Sequence, residues 1–232
     1  MYVKRSNRIG IVAAMDVEVE AIKSLCSIEN EKKIGPVSFY YGTLDEKEIV
    51  ICKSGVGKGC CAMATTILCL DHDLDALMNI GTAGGLKDDQ NVLDIVISDK
   101  VVQADFDTSP LDGEEGMGLT FTAENDLIAA VQEAASENRI PFHTGTVASQ
   151  DLFMSRREDF QKLMERFPDS VCSEMEAGAL AQIADAFQVP FVVIRCLSDV
   201  AVHDENPMEF TEYVAHASQQ SAQLVYTVLK NL

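Results

Sequence analysis

Residues 9–20 read IGIVAAMDVEVE, an apolar run followed at once by a mixture of acidic and apolar residues. The run from Ile9 to Ala14 predicts a strand that is buried on both faces of a sheet. Val17, Ala21 and Ile22 have the spacing of a helix face and place a helix directly after that strand. A strand that leads straight into a helix is typical of α/β proteins, in which the helix crosses back to the next parallel strand.

The same alternation continues along the chain. Further strands are predicted at residues 38–44, 48–53, 76–80, 92–98, 143–148 and 191–196, and helices at 59–70, 124–138, 175–187 and 208–229. The first two of these strands form a predicted hairpin that turns at Asp45-Glu46. We therefore expect an α/β fold in which one domain, residues 1–232, holds a mixed, mostly parallel central sheet flanked by helices. Residues 103–119, rich in Asp, Glu, Gly and Pro, predict a long loop that is either functional or a surface excursion.

The net charge of −19 limits the partners of the protein. So acidic a surface repels polyanions, and we expect neither nucleic acid nor a membrane as a partner. No apolar segment is long enough to cross a bilayer and the N-terminus is too polar for a signal peptide, so the sequence predicts a cytoplasmic protein. The seven cysteines lie mostly in apolar runs without a C-x-x-C pair. This favours reduced thiols, and we expect no metal and no other cofactor.

Two glycine-rich segments follow predicted strands, the place where α/β proteins bind their ligands. Residues 54–59 read SGVGKG and residues 81–85 read GTAGG. The first lacks the Ser or Thr that follows the lysine of a P-loop, and the second lacks the spacing of a dinucleotide-binding motif. Each segment is therefore either a tight turn without a ligand or a place where backbone N–H groups approach a small ligand.

Three carboxylates have positions that favour chemistry. Asp199 follows the apolar strand at 191–196, where burial would raise its pKa and suit it to donate a proton; a turn or a helix cap is the alternative. Glu174 and Glu176 open a predicted apolar helix and point to different faces of it. One of them can enter a site while the other interacts with the helix end or with a base, and a solvated first turn is the alternative.

Six motifs carry a resemblance to a known family. They are IGIVAAMDVEVE (9–20), KSGVGK (53–58), NIGTAGGL (79–86), DIVISD (94–99), EMEA (174–177) and VPFVVIRCLSDVA (189–201). Each is weak alone, but all six in this order and at these separations are specific. The chain resembles the 5'-methylthioadenosine/S-adenosylhomocysteine nucleosidases, within the purine nucleoside phosphorylase and uridine phosphorylase superfamily. The resemblance covers essentially the whole chain and implies a nucleoside phosphorylase-like fold.

The resemblance implies a hydrolase that cuts the bond between adenine and ribose in a small-molecule adenine nucleoside. Glu18 then activates the attacking water, Asp199 protonates adenine N7, and Glu176 binds the 2'- and 3'-hydroxyls of the ribose. The remaining residues that the resemblance implies contact the substrate or orient Asp199: Met15, Val56, Ala83, Gly84, Phe153, Met154, Met175, Ser198 and Phe210.

The family also implies a homodimer in which the loop at 103–119 caps the site of the partner. Here the chain departs from the family pattern, since ADFD at 104–107 replaces a common His-Asp-Ala-Asp segment. Thr108 and Leu111 leave the width of the pocket for the 5'-substituent open, and Leu93 stands where glycine is usual. The helix at 59–70 is almost wholly apolar and must be buried, in an ordinary core or at a subunit interface.

Two other functions compete with this interpretation. A nucleoside phosphorylase of the same fold needs an arginine for phosphate near the end of the first strand, where this chain has Met15-Asp16 and Glu18. A catalytically silent relative would keep the fold and lose the acids, whereas Glu18 and Asp199 are both present. The sequence leaves open whether the 5'-substituent is methylthio, homocysteinyl, deoxy or futalosine-type.

Overall fold

The computed structural model describes residues 8–45, 47–200 and 208–232, except for the side chains of residues 208–212. The strands are β1 Arg8–Ala13, β2 Ser27–Ile34, β3 Val37–Leu44, β4 Lys47–Lys53, β5 Ala76–Gly85, β6 Ile95–Asp107, β7 Met117–Thr122, β8 Phe142–Ser149, β9 Ser170–Glu174 and β10 Phe191–Val200. The helices are α1 Asp16–Lys23, α2 Lys58–Asp71, α3 Ser109–Asp112, α4 Asn125–Glu137, α5 Arg157–Arg166, α6 Ala177–Phe187 and α7 Met208–Asn231. A 3-10 turn, Gly113–Gly116, follows α3.

The described strands join in one mixed sheet, in the order β10-β6-β8-β9-β5-β1-β4-β3-β2, with β7 beside β6. The strand β10 also pairs with β5. Parallel pairings join β1 to β4 and β5, β10 to β5, and β8 to β6 and β9. The other pairings are antiparallel and include the predicted hairpin of β3 and β4. The predicted α/β fold with a mixed central sheet and flanking helices is therefore confirmed.

The central strands are buried on both faces because helices cover the sheet. Ile9–Ala13 of β1 and Phe191–Ser198 of β10 are buried without interruption. Helix α2 packs against α6, and α7 packs against α1 and α4. Strands covered on both faces have continuous apolar runs, whereas strands exposed on one face alternate apolar and polar residues. Residues 9–14 display the continuous apolar pattern.

Two predicted elements were wrong in their bounds. Residues 103–119 are not a long loop, because β6 continues to Asp107 and pairs with β7 from Met117 onward. The helix predicted from Met175 begins at Ala177, since residues 170–174 form β9. The helix α2 is not buried on all sides of this single chain, since Leu70 at its end is 69% exposed, and its burial at a subunit interface stays a prediction.

Five elements were not predicted from the sequence: β2, β7, β9, α3 and α5. The strand β2 reads SIENEKKI and is mostly exposed, so it lacks the apolar alternation that predicts a strand. Charged residues are common on edge strands, where they discourage pairing with other chains.

Leu93, which stands where glycine is usual, has a φ of 74°. This is the left-handed backbone conformation that favours glycine, and a non-glycine residue adopts it at a cost of about 1–2 kcal/mol.

The carboxyl ends of β1, β4, β5 and β10 lie at one edge of the sheet, because these strands are parallel neighbours. The first turn of α1 begins there, and the segments Thr82–Gly84 and Ser198–Asp199 lie there as well. This is the edge at which open α/β sheets bind ligands.

Candidate active site

A cavity of about 280 Å³ opens at this edge of the sheet. Eleven of the twelve residues that the sequence analysis placed in a site line it: Met15, Glu18, Val56, Ala83, Gly84, Phe153, Met154, Met175, Glu176, Ser198 and Asp199. The twelfth, Phe210, lies outside the described side chains. Five further residues also line the cavity: Ala14, Thr82, Leu152, Ser173 and Glu174. Of these, only Glu174 was named from the sequence, as an alternative to Glu176.

Glu18 lies in the first turn of α1, and its side chain is turned inward so that the residue is only 3% exposed. Its Oε2 accepts hydrogen bonds from the backbone N–H groups of Ala14 at 3.0 Å and Met15 at 2.9 Å. Its Oε1 accepts a hydrogen bond from the N–H of Thr82 at 3.1 Å. Burial raises the pKa of Glu18, and these N–H groups together with the charge of Arg195 oppose the rise. The carboxylate is thus held in one orientation by donors that favour its ionised form.

Arg195 lies behind the cavity, in the middle of β10, and is 1% exposed. Its Nη2 donates to Glu174 Oε2 at 2.5 Å and to Asn79 Oδ1 at 2.6 Å, and lies 3.9 Å from Glu176 Oε2. A buried guanidinium is costly unless it is paired, so Arg195 and these carboxylates depend on one another. Its charge partly compensates the acids of the cavity.

The two acids that precede α6 have different partners. Glu174 Oε2 accepts hydrogen bonds from the N–H groups of Glu176 at 2.9 Å and Ala177 at 2.8 Å and so caps α6. Glu176 Oε1 accepts a hydrogen bond from the N–H of Gly57 at 2.8 Å. Burial, followed by the nearby charge of Glu174, raises the pKa of Glu176. Glu174 Oε2 is therefore occupied by helix and guanidinium donors, while Glu174 Oε1 is buried without a hydrogen-bond partner. Glu176 Oε2 is the oxygen better placed to meet a ligand.

The glycines at the ends of β4 and β5 bring the backbone against carboxylates. A Cβ at Gly81 would lie 2.8 Å from Glu18 Oε1, and one at Gly84 would lie 3.1 Å from Asp199 Oδ2. Gly57 has a φ of 95°, and its N–H donates to Glu176. Residues 81–85 are part of β5 and not a turn, whereas residues 54–57 connect β4 to α2. In both segments the glycines make room for the acids.

Asp199 lies near the end of β10, after a β-bulge between Leu197 and Asp199 that shifts the register against β5. A bulge re-aims the side chains around it, and here Asp199 points into the cavity. Its Oδ1 accepts a hydrogen bond from Ser198 Oγ at 2.8 Å. Burial raises the pKa of Asp199, and the bond from Ser198 opposes the rise. The alternative of a turn or helix cap is wrong, since Asp199 is a strand residue.

The rest of the cavity wall is apolar. Met15, Met154 and Met175 contribute thioether side chains, and Val56 and Phe153 contribute apolar surface although each is 53% exposed. Methionine and aromatic side chains suit flat bases and sulfur-bearing alkyl groups. The volume lies near the lower end of the roughly 300–1,000 Å³ that small-molecule sites have, which fits a ligand of nucleoside size.

The charges of the cavity restrict what it can bind. Glu18, Glu174, Glu176 and Asp199 line it, and Arg195 behind them is already paired. Such a site repels a phosphate dianion and stabilises positive charge that develops on a ligand. Within the described ranges, no group of three or more His, Cys, Asp or Glu side chains has the arrangement of a metal site.

Three comparisons relate the chain to known proteins. The profile of the family described as "Phosphorylase superfamily" matches residues 8–230. The 5'-methylthioadenosine/S-adenosylhomocysteine nucleosidase of Halalkalibacterium halodurans is 41% identical over 97% of this chain and 99% of that protein. The chain belongs to this nucleosidase family.

Solved structures of relatives have the same fold. The nucleosidase of Colwellia psychrerythraea in complex with adenine has a TM-score of 0.91 and 35% identity, covering 97% of this chain and 95% of that one. The native futalosine hydrolase of Helicobacter pylori has a TM-score of 0.90 and 30% identity, covering 97% of this chain and 98% of that one. The family therefore includes proteins named for different 5'-substituents.

Arg195 was not predicted as a partner of the site. The signal was present, because Arg195 interrupts the apolar run VVIRC and a charged residue in a buried strand needs a buried counter-charge. Thr82 contributes only its backbone N–H to Glu18, so its residue type does not predict this role.

Leu111, on the segment between β6 and β7, is 87% exposed and does not line the cavity of its own chain. No described helix is long and apolar enough to span a membrane.

Proposed function

We propose that this chain, as one domain over residues 1–232, hydrolyses the N-glycosidic bond of 5'-methylthioadenosine, S-adenosylhomocysteine or both. The products are adenine and the corresponding 5-thioribose. The observation that carries the proposal is a pair of carboxyls in one small cavity, Glu18 and Asp199, with raised pKa values and different partners. Hydrolysis of a nucleoside needs one group to activate water and another to protonate the base, and two such environments supply both.

Asp199 is the general acid. Adenine leaves poorly as an anion, so a proton delivered to N7 lowers the barrier to its departure. Burial keeps the carboxyl of Asp199 protonated to higher pH than an exposed aspartate, and the hydroxyl of Ser198 fixes its orientation. Ala83 and Gly84 border the base, and Gly84 lets Asp199 approach it because it has no side chain.

Glu18 is the general base that activates the attacking water. Its three backbone donors leave the carboxylate rigid, and they favour the ionised form that accepts a proton. As adenine departs, the ribose gains oxocarbenium character, as sugars do in glycoside hydrolysis generally. The negative charge of Glu18 stabilises that cation.

The remaining lining residues hold the nucleoside. Glu176 accepts hydrogen bonds from the 2'- and 3'-hydroxyls of the ribose, and Met175 packs against the sugar. Phe153 stacks on the purine, and the main chain at Met154 hydrogen-bonds the edge of the base. The 5'-substituent is bordered by three residues: Met15, Val56 and Phe210.

Two competing functions are disfavoured by the same site. A phosphorylase requires cations for phosphate, but Arg195 is paired to Glu174, and Lys53 near the end of β4 is paired to Asp16. A silent relative would have no reason to keep two carboxyls of raised pKa in one cavity.

We further propose a homodimer in the cytoplasm, in which the segment 103–119 caps the partner's cavity. Leu111 and Leu70 are large apolar side chains at 87% and 69% exposure, and Val56 and Phe153 leave the cavity open on one side. Seven unpaired thiols suit a reducing compartment such as the cytoplasm.

If Leu111 caps the partner's cavity, Leu111→Asp should raise KM for the nucleoside without altering Glu18 or Asp199. Full activity of a species that sediments only at the monomer mass of 25.3 kDa would refute the dimer.

The function is tested by measuring release of adenine from 5'-methylthioadenosine with and without inorganic phosphate, and by identifying the sugar product. We expect the same rate in both, and free 5-methylthioribose. A rate that depends on phosphate, with a sugar 1-phosphate as product, would establish a phosphorylase. No release from any adenine nucleoside would establish the silent relative.

Comparing kcat/KM among four substrates identifies the preferred 5'-substituent. The substrates are 5'-methylthioadenosine, S-adenosylhomocysteine, 5'-deoxyadenosine and 6-amino-6-deoxyfutalosine. The small apolar cavity predicts the highest value for 5'-methylthioadenosine.

A further inference from the structure

The N-terminus of α2 binds two carboxylates that come from distant parts of the chain. Gly57, the residue before the helix, has no side chain with which to cap it. Its N–H donates to Glu176, and the N–H of Lys58 donates to Asp151 Oδ1 at 2.7 Å. A Cβ at Gly57 would lie 3.2 Å from that oxygen of Asp151. The free N–H groups at the start of α2 are therefore satisfied by the cavity acid Glu176 and by the segment that leads to Phe153.

Asp105 connects the same two segments a second time. One of its oxygens accepts a hydrogen bond from the ammonium of Lys58, and the other accepts one from the N–H of Asp151 at 3.0 Å. Burial would raise the pKa of Asp105, but the bonds from Lys58 and Asp151 outweigh it and the pKa is lowered. Lys58, Asp105 and Asp151 thus form a closed set of three hydrogen bonds at the mouth of the cavity, here termed the mouth triad.

The mouth triad is also tied to the helix that carries Glu176. The ammonium of Lys58 donates to Gln103 Oε1 at 3.2 Å. Gln103, which is 6% exposed, donates in turn to the carbonyl of Gly178 at 3.2 Å and to Gln182 Oε1 at 2.8 Å, both on α6. The side chain of Lys58 is 17% exposed and so is well shielded for an ammonium group.

We propose that Lys58 is a positioning residue for nucleoside binding, because it links the two walls of the cavity through the mouth triad. One wall is the turn at Val56 and Gly57, which holds Glu176, and the other is the segment at Leu152 and Phe153. This inference rests on the proposed function for the identity of the ligand. Exposed ion pairs alone contribute little, but a network that also satisfies backbone N–H groups fixes the spacing of the segments it joins.

The assignment predicts a loss of binding rather than of chemistry. Neither Glu18 nor Asp199 bonds to the mouth triad, so the acid and the base keep their geometry when it is broken. Contacts to the ribose and to the base act on substrate and transition state alike, and losing such contacts raises KM with little change in kcat. Small displacements of binding groups cost one to two orders of magnitude.

The test compares Lys58→Met with Lys58→Arg, Asp105→Asn and the control Lys32→Met. Lys32 also carries an ion pair, with Asp71 at 3.4 Å, but lies on the edge strand β2 away from the cavity. For 5'-methylthioadenosine we expect Lys58→Met to raise KM about tenfold and to change kcat by less than about threefold. Lys58→Arg should recover part of the loss, and Lys32→Met should leave both constants unchanged.

A second measurement does not depend on turnover. In hydrogen exchange of the ligand-free protein, the Lys58→Met variant should show faster exchange of the backbone amides at positions 58 and 151. The backbone amides of β1 should stay protected. Adding Asp105→Asn to Lys58→Met should raise KM no further, because both variants break one network. A KM within about twofold of wild type, a loss confined to kcat, or additive effects would overturn the assignment. If wild type releases no adenine, the proposed function fails, and the exchange pattern still decides whether Lys58 links the two walls.

Discussion

Glu18 and Asp199 are both buried carboxyls of one cavity, yet their surroundings differ. Glu18 accepts three backbone hydrogen bonds and lies near the charge of Arg195. Asp199 accepts a hydrogen bond from the hydroxyl of Ser198. Glu18 is among the first of the lining residues along the chain, and Asp199 is the last. Burial raises the pKa of both, but at Glu18 four influences oppose the rise and at Asp199 one does.

This difference assigns the two roles. A carboxyl surrounded by fixed N–H donors is stabilised as the anion and suits a base. A carboxyl that is buried with a single hydroxyl keeps its proton more readily and suits an acid. Two groups of one chemical type thus become a base and an acid through their neighbours, and the proposed hydrolysis depends on that split.

The largest effect is expected from Asp199→Asn. The amide keeps the shape and the bond from Ser198 but cannot deliver a proton, so kcat should fall by about 10³-fold. The affinity for an unreactive nucleoside analogue and the midpoint of thermal unfolding should change little, which calorimetry of the variant would check. Retention of more than a tenth of the wild-type kcat would remove Asp199 from the acid role.

Glu18→Gln should have the next largest effect. Without the carboxylate the water is not deprotonated, and kcat should fall by about 10²- to 10³-fold. One backbone N–H also loses its acceptor, at a cost of about 1–3 kcal/mol of stability, so the assay belongs well below the unfolding midpoint. Rescue of the variant by added phosphate or azide would favour the phosphorylase instead.

Loss of Arg195 should make the surroundings of Glu18 more like those of Asp199, because the charge of Arg195 acts on Glu18. Its charge lowers the pKa of Glu18 and of Glu176. In Arg195→Met, which removes the charge, the pKa of Glu18 should rise and the acidic limb of kcat/KM should move to higher pH, because Glu18 must be ionised to act. Arg195→Lys keeps the charge and should leave the acidic limb near its wild-type position. Arg195→Met leaves Glu174 buried without its partner and should destabilise the protein by about 3–5 kcal/mol. An unmoved acidic limb in Arg195→Met, assayed below its unfolding midpoint, would show that the charge of Arg195 does not tune the base.

The smallest effect is expected from Ser198→Ala. Loss of the hydroxyl raises the pKa of Asp199 further, since its hydrogen bond lowers that pKa. Asp199 must be protonated to act, so the alkaline limb of the pH profile should move to higher pH. The loss of orientation should reduce kcat by about tenfold, which corresponds to one hydrogen bond. A shift of the alkaline limb to lower pH would contradict the assigned role of Ser198.

The fold was predictable where strands are buried and unpredictable where they are not. Apart from Arg195, residues 9–14 and 191–196 are apolar because both faces are covered, and the structure confirms both strands. The strands β2 and β7 lie at edges, where exposure removes the apolar signal. The end of β6 is acidic and exposed, and for that reason it was mistaken for part of a loop.

The lining of the site was predictable through the family motifs, and its energetics were not. Eleven residues that the resemblance implied line one cavity. The pairing of Arg195 with Glu174, and the donation from Gly57 to Glu176, depend on contacts between residues far apart in the chain. Residue types alone also could not separate Glu18 from Asp199, because backbone donors make the difference.

The division of roles is tested most directly with a substrate whose leaving group needs no proton. The 4-nitrophenyl glycoside of 5-methylthioribose departs as a stable phenolate, so general acid catalysis is not required. Asp199→Asn should then act within about tenfold of wild type, whereas Glu18→Gln should lose about the same factor as with 5'-methylthioadenosine. The account is contradicted if both variants lose activity equally on the glycoside, or if Glu18→Gln is the one that recovers.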